Sequence, residues 1–119
     1  MLTDARFLFK NGRWHGAVYL AGYAVECKLK AAVCQHLGVD VLPSAFHTHE
    51  LQVLLQSAGL AGVLPLDSSV WACFRRIDVI WGVEIRYSGK PYRRHEAETF
   101  LDDVGRLLKW IDTIILRRQ

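Results

Sequence analysis

Several classes of protein are excluded by what this chain lacks. It has three cysteines, at positions 27, 34 and 73, with no CxxC pair, and an odd count of this kind does not build a disulfide framework. That usage fits a reducing, cytoplasmic setting. The opening MLTDARFLFK carries Asp4 and has no basic segment followed by an apolar one, so no export signal is expected. The most apolar run, AVYLAGYAV over 17–25, is nine residues long and stops at Glu26. A membrane-crossing helix needs roughly 20 apolar residues, so this run is read as a buried helix. GxGxxG, P-loop and GxSxG motifs are all missing, which excludes hydrolysis on a standard phosphate loop. Charge of one sign is also scarce. Fifteen Lys and Arg against twelve Asp and Glu leave +3, a balance that does not by itself indicate a partner.

What is present fits one folded domain over residues 1–119, half of it hydrophobic. The periodicity is helical throughout. Thr3 or Asp4 is expected to cap a first helix that stops at Asn11-Gly12. A long second helix is expected from Arg13 to Leu37, with Gly38 in the left-handed position after it. Its small residues Ala17, Ala21, Gly22 and Ala24 would let neighbouring helices come close. Thr48 is expected to cap a third helix with the stripe Leu51, Leu54, Leu55 and Ala58, ending at Gly59. A fourth follows a cap at Asp67, Ser68 or Ser69, carries Val70, Phe74, Ile77 and Trp81, and closes at Gly82. In the last helix one face holds Ala97, Phe100, Leu101, Val104, Leu107, Leu108, Ile111, Ile114 and Ile115. The opposite face sets Asp102 and Arg106 one turn apart. The expected fold is all-α, an antiparallel up-and-down bundle of four to five helices.

The polar residues are unevenly spread. Residues 1–70 balance five basic against five acidic side chains. Between Arg75 and His95 six basic residues (Arg75, Arg76, Arg86, Lys90, Arg93 and Arg94) face two acidic ones, a local +4. Tyr87 and Tyr92 lie within that stretch, and cations interleaved with aromatic rings suit phosphate contact with base stacking. A solvated charged loop is the alternative. Glu26 and Lys30 are one helical turn apart, which predicts a salt pair. A carboxylate in so apolar a helix needs a partner, Lys30 or Arg86. Cys34-x-His36 and His47-x-His49 offer four metal-ligand types, but Cys34 and His36 point to different helix faces, and a loop separates the two pairs. Neither metal nor cofactor is expected. His49 is read as a polar residue on the first turn of the third helix, and the three cysteines as small core residues.

The order of these segments resembles a known family. AVYLAGYAVECKLKAA over 17–32 is similar to the second helix of HEPN (higher eukaryotes and prokaryotes nucleotide-binding) domains, where a Glu precedes a Leu-Lys-Ala triplet by three residues, here Glu26 and Leu29-Lys30-Ala31. The His-x-Leu opening of the third helix is matched by His49 and Leu51, and an Arg-Tyr pair after the fourth by Arg86-Tyr87. A final helix beginning near Arg94-His95-Glu96-Ala97 completes the likeness, which spans about Asp4 to Leu116.

The resemblance implies an all-α bundle, usually a homodimer, that handles RNA or nucleotides. One branch comprises metal-independent endoribonucleases, often toxins paired with a small nucleotidyltransferase antitoxin. Their motif is Arg, four to six residues, then His. The Arg clamps the phosphate and the His transfers protons, roles that here fall to Arg86 and His95. In this chain eight residues (YSGKPYRR) separate them, and Ala97 stands where the toxins carry a Tyr two residues after the His. Two functions follow from the likeness. One is RNA or nucleotide binding with cleavage. The other is a non-catalytic subunit that presents a substrate or partner to a nucleotidyltransferase.

Overall fold

The computed structural model describes residues 1–82, 85 and 91–118, and the elements in them are helical. Helix α1 (Leu2–Lys10) begins earlier than expected. Ala5 N donates to Met1 O, so Met1 is the cap, while Thr3 and Asp4 lie inside the first turn. There Asp4 complements the positive end of the helix dipole. The chain reverses at Asn11 and Gly12. Gly12 takes the left-handed φ of +75°, and Arg13 N reaches back to Leu8 O at 2.9 Å.

Helix α2 (Trp14–Leu37) starts one residue later than expected and ends at Gly38, left-handed with φ 69°. It buries Ala17, Val18, Ala21, Gly22, Ala24, Val25, Leu29, Ala32 and Val33, and packs against α1, α3 and α5. The small residues have a specific consequence. A Cβ at Gly22 would run into the six-membered ring of Trp81, so the indole packs directly on the α2 backbone.

Thr48 does not cap helix α3 (Leu51–Ser57). The cap position is Glu50, and the Thr48 Oγ1 accepts from Glu50 N at 3.2 Å in the turn before it. The hydroxyl stabilises the approach and not the helix end, because the chain is still extended at Glu50. Of the three candidate caps for α4 (Ser68–Val79), Asp67 is used, with its Oδ1 accepting from Val70 N at 3.2 Å. Gly82 does not close this helix. The α-helical pattern ends at Val79, and wider π-type turns continue over residues 80–82, carrying Trp81 into the core. Helix α5 (Arg94–Arg118) buries Ala97, Phe100, Leu101, Val104, Leu107 and Ile111.

Side-chain contacts give the directions. His15, early in α2, meets Tyr92 just before α5, while at the far end Gln35 Nε2 donates to Ile115 O (3.2 Å) and Lys28 pairs with Asp112 (2.7 Å). Helices α2 and α5 therefore run parallel. Helix α4 runs against α5, since Ser69 meets Arg106 and Arg76 meets Asp103. The chain before α3 touches Glu26, and Gly59 after it lies on His36, so α3 runs along α2. The bundle is all-helical as expected, but its directions do not alternate throughout. The segment 38–50 permits this, because thirteen residues reach much further than the ~18 Å back along α2 from Gly38 to Glu26.

Candidate nucleic-acid interface

The described part of the basic stretch divides between two places. Arg75 and Arg76 project from α4, beside Ala72, Val79 and Ile80. Arg93, Arg94 and His95 lie at the start of α5, all exposed. The α5 residue paired with Arg76 is Asp103, nine positions and ~13 Å along the helix from Arg94. Arg86, Tyr87 and Lys90 lie outside the described residues, as does the proposed partnership of Arg86 with Glu26.

Arg76 has a structural partner. Its Nε and Nη2 donate to the two carboxylate oxygens of Asp103 at 2.8 and 2.9 Å. Asp103 is only 5 % exposed, so the fork holds a buried charge and ties α4 to α5. This hydrogen-bonded pairing raises the Arg76 pKa above its usual value. Cys73 lies one turn away, and burial pushes its thiol pKa up, with the nearby Asp103 adding to the effect. Arg106 does not face Asp102 in an ion pair as its spacing suggested; its Nη2 donates to Ser69 Oγ at 2.8 Å.

The start of α5 is well supported. Arg93 N donates to Glu96 Oε1 at 2.9 Å, which satisfies one of the free amides at the helix end. Arg94 sits 5.9 Å from the centroid of the Phe9 ring on α1. Tyr92 is only 7 % exposed, its ring tilted against His15 at 5.7 Å between centroids. For a base to stack on Tyr92, the tyrosine would have to leave this position. His95 stands exposed on the first turn of α5.

Three turns further along α2, Glu26 is fully buried. Its Oε2 accepts from Lys30 Nζ at 3.1 Å, the expected pair, and its Oε1 lies 2.8 Å from His49 Nδ1. His49 is thus placed ahead of α3 and not on its first turn, because the buried carboxylate draws the ring toward α2. Among the described residues, no three His, Cys, Asp or Glu side chains gather where they could hold a metal ion. Cys73 is a core residue, whereas Cys27 and Cys34 are half-buried on α2, a correction to the reading of all three as core. Among the described residues no helix is long and apolar enough to cross a membrane.

Reasoning from sequence missed two groups. His49 as a partner of Glu26 could not be seen, since 23 positions separate them. Arg13 was read as a helix start, and Lys10, Trp14 and His15 were given no site role, yet the α1–α2 turn delivers all four to the start of α5. The sole hint was a cation, an indole and an imidazole in succession after Asn11-Gly12.

Searches among curated proteins and among solved structures returned no significant match. The profile of the HEPN domain matches residues 1–114 of the 119. The helical architecture and the match over nearly the whole sequence agree, and the chain belongs to the HEPN domain family, whose members are helical bundles with nucleotide- or RNA-related functions.

Proposed function

We propose that this protein is an RNA-binding HEPN domain that works as a homodimer in the cytoplasm beside a small nucleotidyltransferase, as the toxin of a toxin–antitoxin pair. The observation that carries the reading is the exposed Arg93-Arg94-His95 run on a helix start that Glu96 holds in place. Cations fixed on a rigid element contact successive phosphates without a large ordering cost. Arg75, Arg76, Arg86, Tyr87 and Lys90 complete the proposed contact set, and Tyr92, tucked inward against His15, stands outside it.

In the cleavage that this reading entails, the ribose 2′-oxygen attacks the adjacent phosphorus and the bond to the 5′-oxygen breaks. His95 takes the 2′-hydroxyl proton or supplies the one needed by the leaving oxygen, and Arg86 steadies the charge on the phosphate. This chemistry needs no metal.

The non-catalytic alternative is favoured by the eight-residue separation of Arg86 and His95. Incubating wild type, Arg86→Ala and His95→Ala with RNA in chelator separates the two. Cleavage by the wild type that both substitutions abolish is the expected result for a ribonuclease. Salt-sensitive binding with no cleavage by any of the three assigns the presenting role. No binding even at low salt refutes RNA handling in either role.

A further inference from the structure

The α1–α2 turn and the start of α5 enclose two adjoining grooves. The larger, about 580 Å³, lies between Arg13, Trp14 and His15 on one side and Pro91 and Tyr92 on the other. The smaller, about 240 Å³, runs past Lys10 and Phe9 to Arg94. They share Gly12 and Trp14, and among the described residues none that lines either is acidic. The larger falls within the roughly 300–1,000 Å³ typical of ligand sites.

Four features of the chain make this a place for an anion next to a ring. Gly12 is left-handed, and a Cβ there would meet nothing within 4 Å, so the floor at the turn is bare backbone open to a ligand. Helix α2 begins at this floor with no acidic residue in its first turn and, among the described residues, no side chain capping its positive end. Arg94 is positioned over the Phe9 ring in the smaller groove with the exposed Lys10, and the exposed Arg13 lines the adjoining larger one. The tilted contact between His15 and Tyr92 steadies an exposed imidazole in that larger groove.

We propose that this groove binds unpaired RNA, with Lys10, Arg13 and Arg94 on successive phosphates and a base against Trp14 and His15. The proposal rests on the RNA-binding reading above and extends it to residues that precede the Arg86–His95 segment by more than seventy positions. A base–aromatic contact beside a cationic track is the usual way of holding single strands without sequence preference.

The test is binding of a labelled single-stranded oligoribonucleotide to the full chain in chelator, at 0.1 M and at 1 M salt. Each lost phosphate contact removes ~0.7 from the log–log salt slope for single strands, so Lys10→Ala with Arg13→Ala should bind about 25-fold more weakly at 0.1 M and nearly like wild type at 1 M. His15→Ala should weaken binding at both salts, because stacking is little screened. Lys109→Ala with Arg117→Ala, an equal charge loss further along α5, should leave affinity within about twofold at 0.1 M.

Thermal melts of every variant check that the exposed substitutions leave the fold intact. Equal weakening by both double variants would show general charge attraction and overturn the groove. Wild-type binding that the Lys10/Arg13 pair leaves unchanged also overturns it, while sparing the RNA-binding reading. Failure of the wild type to bind removes that reading and the groove together.

Discussion

The Arg76–Asp103 pair offers the sharpest test of how the bundle is held. Asp103 is buried and receives two guanidinium donors, whereas the Arg76 side chain is 52 % exposed. Arg76→Ala removes both donors and leaves the carboxylate to a small remnant of solvent. Breaking a fully buried pair costs roughly 3–5 kcal/mol, and exposed pairs are worth about 0–1. The half-exposed arginine places this case between them, at about 2 kcal/mol. For a domain of this length that lowers Tm by ~6–12 °C.

Asp103→Asn keeps the shape and one acceptor, and should cost about 1–2 kcal/mol. The decisive measurement is a double-mutant cycle by urea denaturation. Once either charge is gone the second substitution should add little, giving a coupling of about 1–2 kcal/mol. Losses that simply add would refute the assignment and mark the contact as a surface encounter. Joint replacement by Arg76→Met and Asp103→Leu should recover most of the wild-type stability, since a packed apolar pair avoids the desolvation that the ions suffer.

Other substitutions report on separate features. Gly22→Ala should lower stability by about 2–3 kcal/mol by forcing the Trp81 ring off the α2 backbone, and Trp81→Leu in the same chain should recover part of the loss in urea titrations. Asp67→Ala removes the side-chain acceptor for Val70 N and should cost about 1 kcal/mol in the same assay. The Cys73 thiol ionises less readily in the folded state than its reference of 9.0, so the unfolded chain loses that proton first. Its contribution to stability is therefore complete below about pH 8 and fades as pH rises through 9 and beyond. Cys73→Ser should flatten that alkaline decline, and iodoacetamide at pH 8 should label Cys27 and Cys34 in the native protein well before Cys73.

The helical plan was readable because the apolar spacing of α2, α4 and α5 repeats over many turns, and because Gly12, Gly38 and Gly59 mark reversals that need a left-handed residue. Caps were less readable. Thr3, Asp4 and Thr48 are good capping residues in the right neighbourhood, yet Met1 and Glu50 hold the cap positions, since helix ends depend on what the first turn packs against. The Glu26–Lys30 pair was visible as a one-turn spacing, whereas its second partner His49 depended on the path of residues 38–50. Of the contact residues expected from the sequence, Arg93, Arg94 and His95 stand together, Arg75 and Arg76 stand elsewhere, and Tyr92 is tucked inward.

The sequence by itself determined that this chain is helical, that its helices bury one face each, and that its positive charge gathers late. Those are local properties, set by residue type and by spacings of three and four positions. Only the tertiary structure decided that α2 and α5 run parallel, that Asp103 captures Arg76, and that Lys10, Arg13, Trp14 and His15 meet the start of α5. Packing brings together residues more than eighty positions apart, such as Phe9 with Arg94 and Lys28 with Asp112, which no local spacing encodes.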